Sequence, residues 1–492
     1  MSLCYISQFK HSMASVQMLP SEILSTIFRL TLGRPSLRLR AVELLAQHRA
    51  RVYTLIKLSL VCREWRSIVL GDGTLWTTLP VDASRTDCQQ SITIVLERSK
   101  QAMLDVSMVC DDDLDRPHEA LLSEISKNIA RIKSLHLHAT SPKTLRNLSV
   151  PAPKLETLNI LAAGQPTELG LLFGGNLPAL RSLTLTGLPS WPLGLFSNLK
   201  DLRLVLPPSH PTVRVSSLID VMSRSPGIEE IKMTAFLSII DDSPPSSVAH
   251  LPNLRKFTMR DCDSATVFSH TAISATADIK VIMDHRRMRD TMGIPSHGCH
   301  ILRSAPEDMS TMGFLAESTM FVLQQSREIK FGMGFYRSRS SRPSFRVLDR
   351  STSVDLFARQ SLEALATNPQ YFRNIKDLSI ALSACTAVSW SAVLRGFKQL
   401  ERLSMIALHV PSVLSTLMVT DEDDLPICPS LKRVDVRERC NGRAVVLDGD
   451  DMVDFFVARK ILNCAAVEVN IHGSGGRKWK CGSSGDRIVV GC

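Results

Sequence analysis

Histidine and cysteine offer the first candidates for chemistry in this chain. His297-Gly298-Cys299-His300 sets three metal-capable side chains within four residues. No second ligand pair stands at zinc-finger spacing, so a coincidental cluster is the better reading. His136 and His138 would share one face of a strand and could clamp a metal. Neighbouring segments supply no Cys, Asp or Glu at a matching position, which favours surface histidines. The acidic runs Asp111-Asp112-Asp113 and Asp421-Glu422-Asp423-Asp424 lack the spaced ligands and turn glycine of a calcium loop. Gly473-Ser-Gly-Gly476 and Gly482-Ser-Ser-Gly485 neither follow a strand nor open a helix, and no G-x-x-x-x-G-K-[S/T] occurs, so phosphate cradling is not expected. G-x-S-x-G and H-E-x-x-H are also missing. The expectation is a protein that is not an enzyme, with no catalytic residue, no metal and no cofactor.

The elements around these residues say more. The 492 residues leave room for about three ordinary domains, or for one repeat array and a small module. With 44% apolar and 22% charged residues the chain is globular in composition. No apolar stretch approaches the about 18 residues of a membrane span, and the N-terminus lacks a signal-peptide core. Twelve scattered cysteines without a C-x-x-C pair fit free thiols in a reducing compartment, cytoplasmic or nuclear. The net charge of +10 invites a nucleic-acid reading, but it is concentrated. Arg29–Arg66 carries +7 and Arg327–Arg350 carries +5, so the rest of the chain is close to neutral.

Near the N-terminus, Leu19-Pro20-Ser21-Glu22 reads as a helix start, with proline at the first turn and an acid near the positive helix end. Ile23, Leu24, Ile27, Phe28 and Leu30 follow on one face. A second periodic segment carries Leu55, Leu58, Cys62, Trp65 and Val69, widened by Leu60, Val61 and Ile68. Gly71-Asp72-Gly73 ends it before the apolar Leu75-Trp76. By periodicity alone this is a helical hairpin filling its own core. The string Leu19-Pro-x-Glu-Ile-Leu-x-x-Ile-Phe, then Leu58-Ser-Leu-Val-Cys-Arg-Glu-Trp-Arg66, then Leu75-Trp76, resembles the F-box. The basic segment 33–54 is longer than the family's usual connection, and is expected to loop out or to extend a helix.

This resemblance implies a three-helix module docking on the Skp-type adaptor of SCF-type (cullin–RING) ubiquitin ligases. Leu19 and Pro20 would touch the adaptor, and Ile23, Leu24, Ile27 and Phe28 would bridge docking face and core. Leu60, Val61 and Cys62 would line the same groove, with Trp65 locking the helices. Cullin and RING subunits would join through the adaptor.

Beyond residue 100 the chain repeats the unit apolar, charged, any, apolar, any, apolar. It begins at Ile132, Leu155, Leu180, Leu199, Ile228, Leu254, Ile375, Leu400 and Leu431, and less cleanly at Ile279. The residue after the first anchor is charged in all ten units. Proline stands two places before it at Pro153, Pro178, Pro226, Pro252 and Pro429. Spacings of 19 to 31 residues resemble a leucine-rich repeat. Anchors would point inward from short strands, and the alternate residues outward. Candidates for a partner-binding face are then His136, Asn159, Thr184, Arg203, Lys232, Lys256 and Arg433; with Asp201, Glu230 and Asp435 beside them the face is polar and of mixed sign. The stretch Leu75–Asp82, with Val95–Lys100 and Leu104–Met108, resembles the linker of fungal F-box proteins that leads into such repeats.

The expected organisation is an α/β chain: a three-helix F-box, then a leucine-rich-repeat-like solenoid or horseshoe. Residues 1–17 are expected to be disordered, and 18–82 to form the F-box with its insertion 33–54. Residues 83–130 would be linker and first array element. The array would span 131–471, with an irregular insertion at about 283–370, and 472–492 would be a flexible Gly-rich tail. The 96 residues from Ile279 to Ile375 equal four periods of 24. The Ser/Arg-rich segment 336–343 reads as a solvated loop, with a nuclear-import or RNA-contacting patch and a phosphorylation site as alternatives. The functional expectation is a substrate adaptor whose array holds an unidentified protein target for ubiquitination. A non-ligase interaction scaffold is the alternative, a nucleic-acid-binding protein the weaker one, and no membrane partner is expected.

Overall fold

A computed structural model describes residues 19–33, 41–85, 88–110, 118–139, 148–162, 172–187, 196–205, 212–234, 238–240, 248–260, 264–274, 276–283, 318–324, 331–337, 345–349, 372–381, 389–406, 409–421, 424–437, 449–472, 478–481 and 488–491. The chain divides into two compact units, Met1–Pro207 and Pro208–Cys492. Both are mixed α/β. No helix among the described residues is long and apolar enough to cross a membrane.

The first unit opens with three helices: α1 (Ser21–Leu32), α2 (Ala41–Ser59) and α3 (Arg63–Gly71). A 3-10 turn at Gly73–Trp76 leads into strand β1 (Thr78–Asp82). Then come α4 (Cys88–Ser99), β2 (Leu104–Cys110), α5 (His118–Lys127) and β3 (Ile132–Ala139). Strands β4 (Thr157–Ala162), β5 (Ser182–Thr186) and β6 (Asp201–Val205) follow. All six strands pair in parallel, in chain order. The segment expected to hold linker and first array element supplies strand β2, and Thr78–Asp82 is already sheet.

The repeat unit explains itself residue by residue. In β4 the burial alternates, with Leu158, Ile160 and Ala162 inside and Thr157, Asn159 and Leu161 half-exposed. The first anchors Ile132, Leu155, Leu180 and Leu199 are fully buried. Each contributes about 1.5–3 kcal/mol relative to exposure, provided that neighbouring strands cover it. The repeated proline sits at the second place of a turn before the strand. Leu155 N–H donates to the Ala152 carbonyl (3.2 Å) across Pro153, and Leu180 N–H to Leu177 (3.2 Å) across Pro178. The fixed backbone angle of proline suits that place. Pro226, Pro252 and Pro429 repeat the arrangement, under Ile228, Leu254 and Leu431.

The charge after the anchor pairs between several neighbouring strands, though not between Arg181 and Lys200, which share a sign. Glu156 N–H donates to the Lys133 carbonyl (2.8 Å) while the two side chains pair at 3.4 Å. In the second unit Arg255 pairs with Glu229 (3.6 Å), and Lys376 (3.4 Å) and Lys432 (3.0 Å) flank Glu401. Hydrogen bonds from Lys432 and Lys376 hold the Glu401 carboxyl below the ordinary carboxylate range. These pairs are exposed and add little stability each. Where Lys376, Glu401 and Lys432 alternate, a one-residue slip would set Glu401 opposite Asp377 or Lys432 opposite Arg402, and this penalises it.

The second unit contains β7 (Thr212–Arg214), α6 (Val215–Ser223), β8 (Glu230–Thr234), β9 (Ser238–Ile240), β10 (Ala249–Leu251) and β11 (Lys256–Arg260). Next are α7 (Ser264–Ser269), β12 (Thr271–Ile273), β13 (Asp278–Met283), β14 (Met320–Gln324), β15 (Phe331–Tyr336) and β16 (Phe345–Asp349). It closes with β17 (Asp377–Ala381), α8 (Trp390–Leu394), β18 (Arg402–Ile406), α9 (Val410–Leu417), β19 (Arg433–Arg437), α10 (Gly449–Ile461), β20 (Glu468–His472), β21 (Lys478–Cys481) and β22 (Ile488–Gly491). Strands β8, β11 and β13 are parallel neighbours, as are β17, β18, β19 and β20.

Between β13 and β17, where an irregular insertion is expected, the strands depart from the parallel repeat. β16 pairs in parallel with β13, β15 is antiparallel to both β16 and β14, and β14 returns to parallel pairing with β17. A reversed strand has no place in a uniform parallel repeat. Phe372, just before β17, makes ring contacts with Phe321 of β14 (5.4 Å) and with Phe397 (5.0 Å). The C-terminal segment is likewise not wholly without structure. β21 pairs antiparallel with β20, and β22 with β21, extending the sheet past the expected end of the array.

Residues 1–17, Asp111–Asp113, His297–His300, the Gly473–Gly476 and Gly482–Gly485 clusters and most of the Ser/Arg-rich segment, 338–343, lie outside the described residues. Among the described residues no group of three His, Cys, Asp or Glu side chains could hold a metal. Cys62, Cys88, Cys110, Cys428 and Cys464 form no disulfide.

Candidate functional site: an exposed apolar helical face and a polar sheet row

The N-terminal helices are built around a small core. Pro20 occupies the cap rather than the first turn of α1, and its carbonyl accepts from Ile23 N–H (3.0 Å) and Leu24 N–H (3.1 Å). Leu24 and Phe28 are 1% exposed. Phe28 meets the half-buried Trp65 of α3 edge to face, with ring centroids 4.9 Å apart. That geometry matches the charge distribution of aromatic rings. Cys62 caps α3 through its sulfur, which accepts from Trp65 N–H (3.4 Å).

Trp76 is the more deeply held tryptophan. It is 3% exposed, and its indole Nε1–H donates to the Val69 carbonyl (2.7 Å) near the end of α3. Asp72 ties the elements together. It accepts from Ser25 of α1 and from Thr74 N–H (2.9 Å), and lies 3.6 Å from Arg29. Burial pushes its carboxyl up, but the Ser25 and Thr74 hydrogen bonds and the Arg29 charge outweigh this and hold it below the ordinary value.

What this core leaves outside is the candidate site. Ile23 (48%), Ile27 (40%) and Leu30 (75%) stand exposed on α1, and Leu60 (67%) and Val61 (51%) at the corner between α2 and α3. Pro20 is exposed and Leu19 and Cys62 are half-exposed. Of the expected docking residues, Leu24 and Phe28 therefore belong to the core, and Trp65 and Cys62 serve chiefly to hold α3. Large apolar side chains clustered on short helices mark an interaction surface.

The basic segment behaves as a helix extension from Ala41 onward. One flank of α2, formed by Leu44, Leu45, His48 and Leu55, is buried, and the helix packs on β1, β2 and β3. It lies on the face opposite the inward anchors. Arg49 pairs with Asp82 of β1, and His48 Nδ1 sits 2.9 Å from Ser107 Oγ of β2. Arg51 donates to the Leu32 carbonyl (2.9 Å), fastening the end of α1.

This arrangement corrects one expectation. His136, Asn159, Thr184 and Arg203 are consecutive register partners across β3, β4, β5 and β6, so they do form one row. His136, however, is fully buried, its Nε2 3.2 Å from Ser134 Oγ, and is not available to a partner. Its register neighbour Ser107 is covered by α2, through a contact 59 residues apart in sequence. Burial lowers the His136 pKa to about 4, so the ring is neutral near pH 7. Asn159, Thr184 and Arg203 remain half-exposed.

In the second unit Lys232 and Lys256 are exposed but occupy different rows, Lys232 opposite Thr258 and Lys256 opposite Glu230. Lys256 Nζ lies 3.8 Å from Glu230. Arg433 is committed to Asp435, a carboxylate 3% exposed that also receives Arg402 and Asn470 Nδ2 (3.3 Å). The expected face is thus polar and of mixed sign, with several of its charges already paired.

No curated protein sequence matches the chain. The family model for F-box-like domains matches residues 16–79. That span holds α1, α2, α3 and the Trp76 anchor. Residues 16–79 are an F-box-like domain.

Proposed function

We propose that this chain is a substrate-recognition subunit of an SCF-type ubiquitin ligase, docking on a Skp-type adaptor through its F-box-like domain. The observation that carries this reading is the exposure of Ile23, Ile27, Leu60 and Val61 on a module whose own core is complete without them. Helix-in-groove docking through such anchors needs no chemistry from the chain itself. The parallel strands of the two units are read as leucine-rich-repeat-like elements whose polar rows hold a protein target, raising its effective concentration near the conjugating enzyme. In this role the protein is non-catalytic, needs no cofactor, and works in the cytoplasm or nucleus.

Co-expression with the adaptor tests it. The intact chain should co-purify with the adaptor, and Ile27→Glu should abolish capture while leaving the thermal transition unchanged. Partners held through the sheets should live longer in cells that carry the Ile27→Glu chain. Adaptor capture that survives Ile27→Glu would defeat the docking reading. Unchanged partner lifetimes would favour an interaction scaffold instead.

A further inference from the structure

Two cysteines meet where the helix α10 of the second unit returns to the sheet. The helix ends in a Schellman turn: Asn463 takes a left-handed φ of 53°, and Cys464 N–H donates back to the Arg459 carbonyl (3.0 Å). The next residue fastens this turn to its neighbour, because Ala465 N–H donates to the Pro429 carbonyl (3.1 Å). Cys464 and Cys428 each stand one residue before that hydrogen-bonded pair. Backbones joined in this way lie about 5 Å apart, inside the span of roughly 4.4–6.8 Å between α-carbons that a disulfide bridges.

The surroundings of the pair are unusual. Cys428 is buried and holds a left-handed φ of 51°, a conformation that residues with a β-carbon seldom adopt. Arg459, also buried, donates to the Ile427 and Cys428 carbonyls (both 2.8 Å). Among the described residues no carboxylate pairs with this guanidinium, and the ionisable groups that its charge reaches are the two thiols. Burial pushes Cys428 up to about 12, Arg459 pulls it down, and Cys464 raises it again, so the two sulfurs lie within each other's field. Burial also raises the half-exposed Cys464, again against Arg459. In the reduced chain Cys428 donates to the Leu394 carbonyl (3.5 Å) and Cys464 to the Leu462 carbonyl (3.7 Å), both weak bonds that a rotating thiol can give up.

We propose that Cys428 and Cys464 are a redox-dependent disulfide pair, closed by a hydroperoxide and reopened by a dithiol. Cys464, the more exposed, reacts first: its thiolate attacks one peroxide oxygen, the O–O bond breaks, and Cys464 becomes a sulfenic acid. The released hydroxide takes up the proton that the thiol lost. The Cys428 thiol then displaces the sulfenic hydroxyl as water and leaves an S–S bond. Two thiols and one hydrogen peroxide give one disulfide and two waters; sulfur is oxidised and peroxide oxygen reduced. The bridge ties together the turns that lead into β19 and β20, the strands that carry Asp435 and Asn470. It lies wholly within the second unit and does not depend on the adaptor reading.

Equimolar hydrogen peroxide, added to the reduced full-length chain at about pH 8.5, tests the pair. Thiol titration in denaturant should show the loss of two of the twelve cysteines, and peptide mass spectrometry should find Cys428 linked to Cys464. The thermal transition should rise on closure, and dithiothreitol should restore both thiols and the original transition. Cys464→Ser alters a half-exposed side chain, so it should melt with the unaltered reduced chain, yet its Cys428 should remain a free thiol after peroxide. Cys428 and Cys464 both recovered as free thiols would overturn the proposal. So would a Cys464 carried on to sulfinic acid beside a reduced Cys428, or a link from either to another cysteine. A Cys428–Cys464 link that forms only after the chain has been unfolded in urea would overturn it too, since the folded turns would then not bring the sulfurs together.

Discussion

His48 enters the first unit from α2 and meets Ser107 of β2, 2.9 Å from its Nδ1. Burial first, then the neighbouring His136 and Arg51, lower its pKa from 6.5 to about 3. The folded chain therefore keeps this ring neutral far into acid, whereas the unfolded chain protonates it near pH 6.5. Above that pH neither state binds the proton and the contribution to stability is complete. As pH falls from about 6.5 toward 3, the unfolded state alone gains a proton, and stability drops by up to about 1.4 kcal/mol per pH unit. His136, lowered to about 4, acts in the same direction. Asp105, raised by burial, opposes them, so the bulk acid profile cannot be assigned to one group. A comparison can. His48→Gln should be less stable than the unaltered chain at pH 7, and the gap should narrow by more than 1 kcal/mol by about pH 5, followed by urea unfolding. A gap that stays constant would mean that His48 titrates alike in both states.

At the scale of elements, the tightest approach lies where β5 turns away from β4. Gly187 has φ +81°, and a β-carbon there would stand 1.8 Å from the Ala162 carbonyl oxygen, while its N–H donates to the Val205 carbonyl (2.9 Å). Gly33, after α1, also has a positive φ of 65° but opens onto empty space. Left-handed backbone alone costs a side chain about 1–2 kcal/mol, and forced displacement of packed backbone adds about 1–3 kcal/mol. Gly187→Ala should thus lower unfolding free energy by about 2–5 kcal/mol and Gly33→Ala by about 1–2 kcal/mol. Equal costs in urea unfolding would show that the β5 loop moves aside freely. Elements of this kind differ in how plainly they can be read beforehand. The repeat strands were legible because their signals are local: an anchor such as Leu155, a proline two residues earlier closing the turn, and a charge that pairs with the next unit. Strands β14 to β16 were not, since Gly332 and Gly334 dilute the pattern and β15 runs against the period. Trp479 and Ile488–Val490 were hidden between glycine clusters that suggest coil. The cover over His136 left no trace at all, because it depends on His48 and Arg49 packing on strands more than 30 residues away.

For the whole molecule, the +10 charge and the domain organisation lead to the same place. The larger cluster, +7 between Arg29 and Arg66, spans the helix that both completes the F-box-like domain and lies on the first three strands. β1 begins inside the matched span 16–79 and is already hydrogen-bonded into the sheet. The F-box-like domain and strands β1 to β3 are accordingly one folding unit, and cutting between them is a structural injury. Removing residues 1–82 would strip β1 from β2, taking Leu79 and Val81 away from the buried Val106 and Met108, and would uncover the face beneath α2. An unpaired parallel strand with apolar neighbours is an aggregation site. The truncated chain should therefore elute as soluble aggregate or melt well below the full chain. Ile27→Glu, which alters an already exposed side chain, should remain monodisperse with an unchanged transition. Partners lost from the Ile27→Glu chain would then report on docking alone, whereas partners lost on truncation would mix docking with unfolding. A truncated chain that stays monodisperse and melts with the intact one would show that the first sheet is self-sufficient from β2 onward, and that α2 rests on it without supporting it.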